Sequence, residues 1–340
     1  MSNLTEATRE LFIRSVKDEV FMKTPFLDDL LSRNKITFSG GKSITQLVKF
    51  RDGLGDIAQD YVTNDTLNDS ATDYLAKPEW TWKKFTIPIR YDGDVEIQNE
   101  NAGSEEQLLA LVPDLVKSAQ RDAKLHLNSL VFNSGSAAGV SDTGAKFQSL
   151  VSALGHDVTY GTLTRTLSTN TRNWWQGSDP AGLIATTTSA QGTATNFTIS
   201  NIRKWIWETN VAHNLEGPGD IGIYVCPTLF NKLRAEMESK VIYKQGDPQS
   251  QGFEKMIVDG FTVVSVPFLQ TTTTMKKWAF IVNLNDWELR LSTARNFKVT
   301  PFVWQGQNVN GVDYYLSRIL VAGNLICNKP NGSLFLSNVS

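Results

Sequence analysis

Six aspartates, Asp52, Asp56, Asp60, Asp65, Asp69 and Asp73, fall within Arg51–Leu75 beside Gly53 and Gly55, and Arg51 is the one basic residue there. Regularly spaced carboxylates next to glycines are the raw material of a calcium loop, in which oxygen ligands surround a hard cation. The spacing departs from the EF-hand order, and no glutamate closes the stretch as a bidentate ligand. What remains is electrostatic: a dense negative surface that attracts a basic one. Other reactive residue types are scattered. Cys226 and Cys327, the only cysteines, sit in the apolar runs IYVC and LIC with no zinc or redox spacing, and are expected as buried free thiols. His126, His156 and His213 form no metal pair. GGKS at Gly40–Ser43 lacks the first glycine of a phosphate-binding loop and reads as a turn. The acid pairs Asp28-Asp29 and Glu105-Glu106 lie in helical first turns, where solvation and the helix dipole account for them. No nucleophile–base signature is present. The residues therefore predict no catalytic site, no cofactor and no metal, and a structural or binding role rather than an enzyme.

The stretch around which the other elements are expected to pack is Asp92–Asn133. Ser104 is a good N-cap, and Gln107 completes a capping-box pattern. Leu108, Val112, Leu115, Ala119, Ala123, Leu127 and Leu130 then recur at helical spacing. Pro113 should kink or restart that helix. From Ser104 to Phe132 it would span roughly 40 Å, at 1.5 Å per residue, which suits a spine.

Residues 1–34 read as amphipathic helix broken at Thr24-Pro25, with Leu11, Phe12, Val16, Val20 and Phe21 on the apolar side and a short second helix in FLDDLLSR. Such a segment docks either on its own domain or on a neighbour. KSITQLVKF and EWTWKKFTIPIRY are strand signals. In the second, Trp80 and Trp82 alternate in one phase and Phe85, Ile87, Ile89 and Tyr91 in the other, so a bulge is expected at Lys83-Lys84. Pro88 places the strand at an edge or at the bulge. Arg51–Leu75, between the two signals, is far longer than a hairpin loop and reads as the tip of a two-stranded excursion. An isolated ribbon is marginal in water, so it should pack on something else.

Further on, Trp174-Trp175 leads into a Thr/Ser-rich loop, and Ser200 or Asn201 caps a helix whose Trp205 and Trp207 read as core. IGIYVC is a buried strand, and Pro227 opens the helix PTLFNKLRAEMESK. FTVVSVPFL, KWAFIVNL, WELRLS, NFKVTPFVW, DYYLSRILVAGNLICN and GSLFLSNV are strands. The order describes an α+β protein. A net charge of −2 argues against a generally basic, nucleic-acid-binding surface. No apolar run approaches a membrane span and no signal peptide is seen, so no membrane partner is expected.

This order of elements, with the segment FTIPIRYDGDVEIQNENAG entering the spine and the closing VAGNLICNKPNGSL, resembles the major capsid proteins of tailed bacteriophages. The resemblance implies an α+β phage major-capsid fold. Residues 1–34 would be its N-terminal arm, 35–91 the extended loop as a β-hairpin, and 92–140 the peripheral domain with its spine helix. Residues 141–295 would be the axial α+β domain, and 296–340 strands returning to the peripheral domain. It implies a shell subunit that assembles into pentamers and hexamers of an icosahedral head, built in the host cytoplasm and resident in the virion. The implied partners are further copies of itself, a scaffolding protein, a portal, decoration proteins and packaged double-stranded DNA held without specificity. Because the arm begins almost at once, a separate scaffolding protein or an already processed subunit is implied. Some members crosslink through a loop lysine. Arg51–Leu75 has none, and Lys49 and Lys77 lie on the flanks, so a non-covalent shell is expected. The expected intersubunit residues are the six aspartates, meeting a basic patch on a neighbour, and Leu11, Phe12, Val16 and Phe21 of the arm. Two rival readings are an encapsulin-like nanocompartment shell and a β-rich tail-associated or carbohydrate-binding virion protein, the latter motivated by Trp174-Trp175.

Overall fold

The computed structural model describes residues 24–49, 62–63, 75–94, 105–132, 147–155, 159–165, 174–178, 195–207, 220–238, 255–305 and 313–340. Helix α1 (Pro25–Ser32) leads into β1 (Ile36–Ser39). Two short ladders follow, β2 (Ile44–Thr45) with β5 (Glu79–Trp80) and β3 (Val48–Lys49) with β4 (Leu75–Ala76). Strand β6 (Lys83–Asp92) precedes the long helix α2 (Glu105–Phe132). After α3 (Leu150–Leu154) and α4 (Ile199–Trp207) come β7 (Ile221–Val225), α5 (Pro227–Glu238), β8 (Lys255–Val258) and β9 (Phe261–Ser265). The chain ends in β10 (Ala279–Asn283), β11 (Trp287–Ser292), β12 (Lys298–Val299), β13 (Val303–Trp304), β14 (Tyr314–Cys327) and β15 (Leu334–Leu336).

Strand β14 organises the larger sheet. Along one side it pairs with β6 from Tyr314–Asp92 to Gly323–Lys83. Along the other it pairs in turn with β13, β12 and β11, and β1 runs parallel to β11. Period-two alternation decides which side of β6 is covered. Phe85, Ile87, Ile89 and Tyr91 point inward, and Lys84, Thr86, Pro88, Arg90 and Asp92 are exposed. Helix α2 packs on the inner side with Val116, Ala119, Ala123, Leu127 and Leu130, and each of its larger apolar side chains contributes about 1.5–3 kcal/mol on burial. The helix continues through Pro113 as one element, without the restart that was one of the two expectations there. Strand β6 has β14 as its one described partner, so Pro88, which has no N–H to donate, sits on an edge strand as expected. The phase change at Lys83-Lys84 is not a bulge. Strand β5 ends at Trp80 and β6 begins at Lys83, and the chain passes from the ribbon into the sheet between them.

The second sheet has the order β15-β10-β7-β9-β8. Every residue of β7 and β10 is buried, which is why both read as unbroken apolar runs. The parallel pair β7 and β9 is joined through α5, with Pro227 at its first position. The chain divides between the sheets differently from the expected boundaries. Trp287–Ser292, assigned to the axial segment, lies in the six-stranded sheet. Leu334–Leu336, assigned to the returning strands, joins β10 in the five-stranded sheet. Burial explains the second crossing: all three residues are buried, and Phe335 stacks on Phe280 at 4.8 Å.

Helix α1 fills the seam between the sheets. Phe26 meets Phe132 of α2, Tyr224 of β7 and Trp287 of β11 edge-on, with centroids at 6.2, 5.4 and 6.0 Å. The Tyr224 hydroxyl donates to Asp29 at 2.5 Å, and burial pushes that phenol well above its ordinary pKa. Arg33 pairs with Asp220 at 2.8 Å and donates to Asn285 at 3.1 Å. The described part of the expected arm of residues 1–34, from Pro25 on, is therefore not an arm. From there the chain is core of its own subunit, because Phe26, Leu27 and Leu30 are fully buried.

Candidate intersubunit surfaces

Residues 44–49 and 75–80 pair in two short ladders outside the two sheets, a ribbon whose root is held by an aromatic socket. Trp80 packs against Tyr160 at 5.5 Å and Trp175 at 6.4 Å, and the Trp175 indole N–H donates to the Tyr160 carbonyl at 2.9 Å. The Tyr160 hydroxyl accepts from the Cys327 backbone N–H at 2.8 Å, which ties the socket to β14. The Glu79 N–H donates to the Gly161 carbonyl at 3.0 Å. Gly161 has φ +57°, and a Cβ there would lie 2.8 Å from Pro78 and 2.9 Å from Trp80. Only glycine fits this approach.

Polar contacts fix the ribbon's direction. Arg290 on β11 pairs with Glu288 at 3.0 Å and donates to the Gln46 side chain and the Thr45 carbonyl. Trp82 donates to the Gly41 carbonyl at 2.9 Å. Asn324 is fully buried; it donates to the Thr81 carbonyl at 3.2 Å and accepts from the Gln148 N–H at 2.8 Å. Arg165, also fully buried, donates to the Gly155 and Ala153 carbonyls at 2.7 and 2.8 Å beyond and within α3, and stacks on Tyr160 at 4.8 Å. Burial lowers its pKa to about 9.

The ribbon's burial falls off along its length. Ile44 and Trp80 are buried at the root and Val48 is buried one step out, but Leu47 is 64% exposed and Val62 73%. The ladder itself is interrupted at Gln46-Leu47 and Lys77-Pro78, between β2–β5 and β3–β4. The predicted hairpin of residues 35–91 is thus narrower in pairing: β1 and β6, at its two ends, belong to the six-stranded sheet. Asp52, Asp56, Asp60, Asp65, Asp69 and Asp73 lie outside the described residues, and with them the calcium reading. Leu11, Phe12, Val16 and Phe21 lie outside them too.

The six-stranded sheet has a second side, facing away from α2. At one end, where Glu288 and Arg290 lie on it by strand alternation, the ribbon root covers it. At the other end it is open. Lys84 and Arg90 of β6, Arg318 of β14 and Lys298 of β12 are exposed there, and Val303 of β13 is 50% exposed. Arg90 pairs with Asp92 at 2.8 Å and lies 4.2 Å over the Tyr314 ring.

Several residues singled out in the sequence have structural duties. Trp175 is fully buried in the socket with Trp174 tilted against it at 5.4 Å, which withdraws the motive for a glycan-stacking pair. Trp205 is core, but Trp207 is 61% exposed, because two helical residues apart face nearly opposite ways. The cap of α4 is Thr198, not Ser200 or Asn201: its hydroxyl accepts from the Asn201 N–H at 3.3 Å, and Glu236 accepts from the Ile199 N–H at 3.0 Å. Cys226 and Cys327 are buried free thiols as expected. Among the described residues no group of three or more His, Cys, Asp and Glu could hold a metal ion, and no helix is long and apolar enough to cross a membrane.

Sequence reasoning missed Tyr160, Gly161 and Arg165. The Tyr-Gly pair before a run of threonines was the available signal of a tight turn, but nothing local says that Trp80 closes over it.

No family model matches this chain, and no curated protein matches it. Among solved structures it is similar to the Cyanophage A-1(L) capsid asymmetric unit, with TM-score 0.62 and 14% identity over 94% of this chain and 93% of that one. It is also similar to the capsid of the empty GTA particle, with TM-score 0.52 and 10% identity over 92% of this chain and 96% of that one. The capsid of the native GTA particle aligns with TM-score 0.52 and 10% identity over 92% of this chain and 90% of that one. The chain has the α+β fold of phage capsid proteins.

Proposed function

We propose that this chain is the structural shell subunit of an icosahedral phage head, assembling into pentamers and hexamers around a double-stranded DNA genome. The observation that carries the reading is the ribbon: a firmly socketed root continued by residues whose apolar side chains, Leu47, Val62 and Leu75, stay exposed on the single chain. Apolar area held out on a protruding element is an interaction surface in search of its partner. A closed shell supplies identical neighbours at fixed angles, and each copy's protrusion then meets the same surface on the next. The fold shared with capsid proteins over nearly the whole chain supports the same conclusion.

On this reading the arm residues Leu11, Phe12, Val16 and Phe21 and the six aspartates make intersubunit contacts. A scaffolding protein and a portal direct closure, decoration proteins bind the finished lattice, and DNA is tolerated rather than gripped by a chain of net charge −2. Assembly would take place in the host cytoplasm, with the virion as destination. The test is overexpression of the chain, alone and with its neighbouring genes, followed by negative-stain microscopy. Closed particles are expected. A small discrete oligomer under every condition would overturn the proposal, and particles filled with an enzyme instead of nucleic acid would redirect it to a nanocompartment.

A further inference from the structure

Beside the five-stranded sheet lies a surface with basic residues and no acidic ones. Residues 221–235, from β7 into α5, and residues 261–283, from β9 through β10, contain Lys232, Arg234, Lys276 and Lys277 but no aspartate or glutamate, in a chain of net charge −2. The two stretches adjoin in space. The Thr228 hydroxyl donates to the Gln270 side chain at 3.0 Å, and the Cys226 thiol donates to the Lys276 carbonyl at 3.0 Å. Helix α5 also packs on the short helical turns Pro267–Gln270 and Met275–Lys277. Thr228, Asn231, Lys232 and Ala235 recur on one face of α5 at steps of three and four residues, and all four are exposed. Beside them the run from Gln270 to Thr274 is exposed, as are Lys276 and Lys277. Lys232, Lys276 and Lys277 make no ion pair among the described residues. Glu236, just beyond the first stretch, is engaged at the start of α4. No large apolar side chain is exposed in either stretch.

We propose that Lys232, Lys276 and Lys277, with the hydroxyls and amides around them, contact the phosphate backbone of the packaged double-stranded DNA. The inference rests on the shell-subunit reading and assigns the genome a place on the subunit. Chemistry separates this surface from the basic end of the six-stranded sheet. There, Val303 and Trp304 are exposed near the cations and Asp92 answers Arg90, a mixture suited to a protein partner. Here the exposed groups are ammonium, hydroxyl and amide, the side chains that hydrogen-bond phosphate oxygens. The large apolar anchors that dominate protein interfaces are missing from it. Contacts of this kind position a duplex without reading its sequence, which suits a container that meets its genome at every point along it. Three lysines bind weakly on one chain, and a shell repeats them on every copy, so the contact gains by multivalency.

The test starts from the unassembled full chain and a short fluorescent DNA duplex, with binding followed across a salt series. The combined variant Lys232→Gln, Lys276→Gln and Lys277→Gln should flatten the slope of log affinity against log salt by about 2.7, at about 0.9 per phosphate contact. Removing the same charge elsewhere, through Lys84→Gln, Lys298→Gln and Arg318→Gln, should leave that slope as it was. No binding by the unsubstituted chain at low salt, a slope unmoved by the first set, or one flattened equally by both sets would overturn the proposal. The second measurement guards against a folding defect and against a protein partner. Shells of the first variant should form in the same yield as those of the unsubstituted chain, since the three exposed ammonium groups pair with nothing in the subunit. A fall in shell yield with DNA affinity intact would make the surface a protein interface and overturn the DNA contact. The two readings fail separately: no shells from the unsubstituted chain would overturn the shell reading, whereas the salt slope is measured without assembly and decides the DNA contact.

Discussion

Arg165 is surrounded by carbonyl oxygens where a carboxylate would be the usual company for a buried cation. Its guanidinium holds the end of α3 and the face of Tyr160 together, so the charge is spent on local geometry. Arg165→Met would leave those carbonyls without donors in a buried place, and we predict a loss of about 2–4 kcal/mol, read from the denaturant midpoint of the unassembled subunit. The pH dependence has a defined sign. The folded chain releases this proton near pH 9 and the unfolded chain only at the higher pH of a free guanidinium, so in the interval between them the unfolded state holds more protons. Stability relative to the Met variant should therefore be constant below about pH 8 and rise through the alkaline window. A difference that shrinks as pH rises would contradict it. Phe26→Ala should cost about 3–5 kcal/mol by the same assay, since three rings close on that side chain. Neither residue advertised itself. TLTRTLST carries no apolar pattern, and Phe26 follows a proline in a stretch that could equally dock on a neighbour; the partners of Phe26 are distant in sequence, and Arg165 is held by backbone carbonyls that no side-chain pattern marks.

At the scale of elements, the socket under the ribbon is the feature most open to test. Gly161→Ala forces a Cβ into Pro78 and Trp80 at positive φ, and should cost about 1–3 kcal/mol while leaving the two sheets intact. Hydrogen exchange at Thr45 and Glu79 should quicken in that variant, and unchanged protection would mean that the socket does not hold the ribbon. Much of the element inventory was legible. The spine was read as Ser104–Phe132 and found as Glu105–Phe132, because its period is local; its expected cap, Ser104, lies outside the described residues. The buried strands β7 and β10 announced themselves as unbroken apolar runs. What alternation could not reveal was the sheet each strand joins. The phase change after Trp82 is the same signal for a bulge as for a chain leaving one ladder and entering another, and only the register with β14 separates them.

The whole molecule explains the remaining differences. Because β11 and β15 cross between the sheets, neither sheet is a continuous piece of sequence, and the single cut at residues 295–296 implied by the resemblance missed both crossings. The acidic cluster and the basic end of the six-stranded sheet differ in how they could be read. The aspartates are visible in the sequence as a cluster, whereas the basic surface is assembled from β6, β12 and β14, which lie far apart in the chain. Exposed aspartates meeting a basic patch on a neighbour are screened by salt, so shells should loosen between about 0.1 and 0.5 M salt. They should also dissociate to single chains on a denaturing gel, since Arg51–Leu75 contains no lysine for a crosslink; a ladder of covalent multimers would contradict this. The measurement that bears most directly on the account is a cryo-electron-microscopy reconstruction of the assembled particle, traced through residues 44–80. The ribbon is predicted to cross onto a neighbouring copy and bury Leu47, Val62 and Leu75 there. A ribbon folded back onto the sheet of its own chain would contradict it.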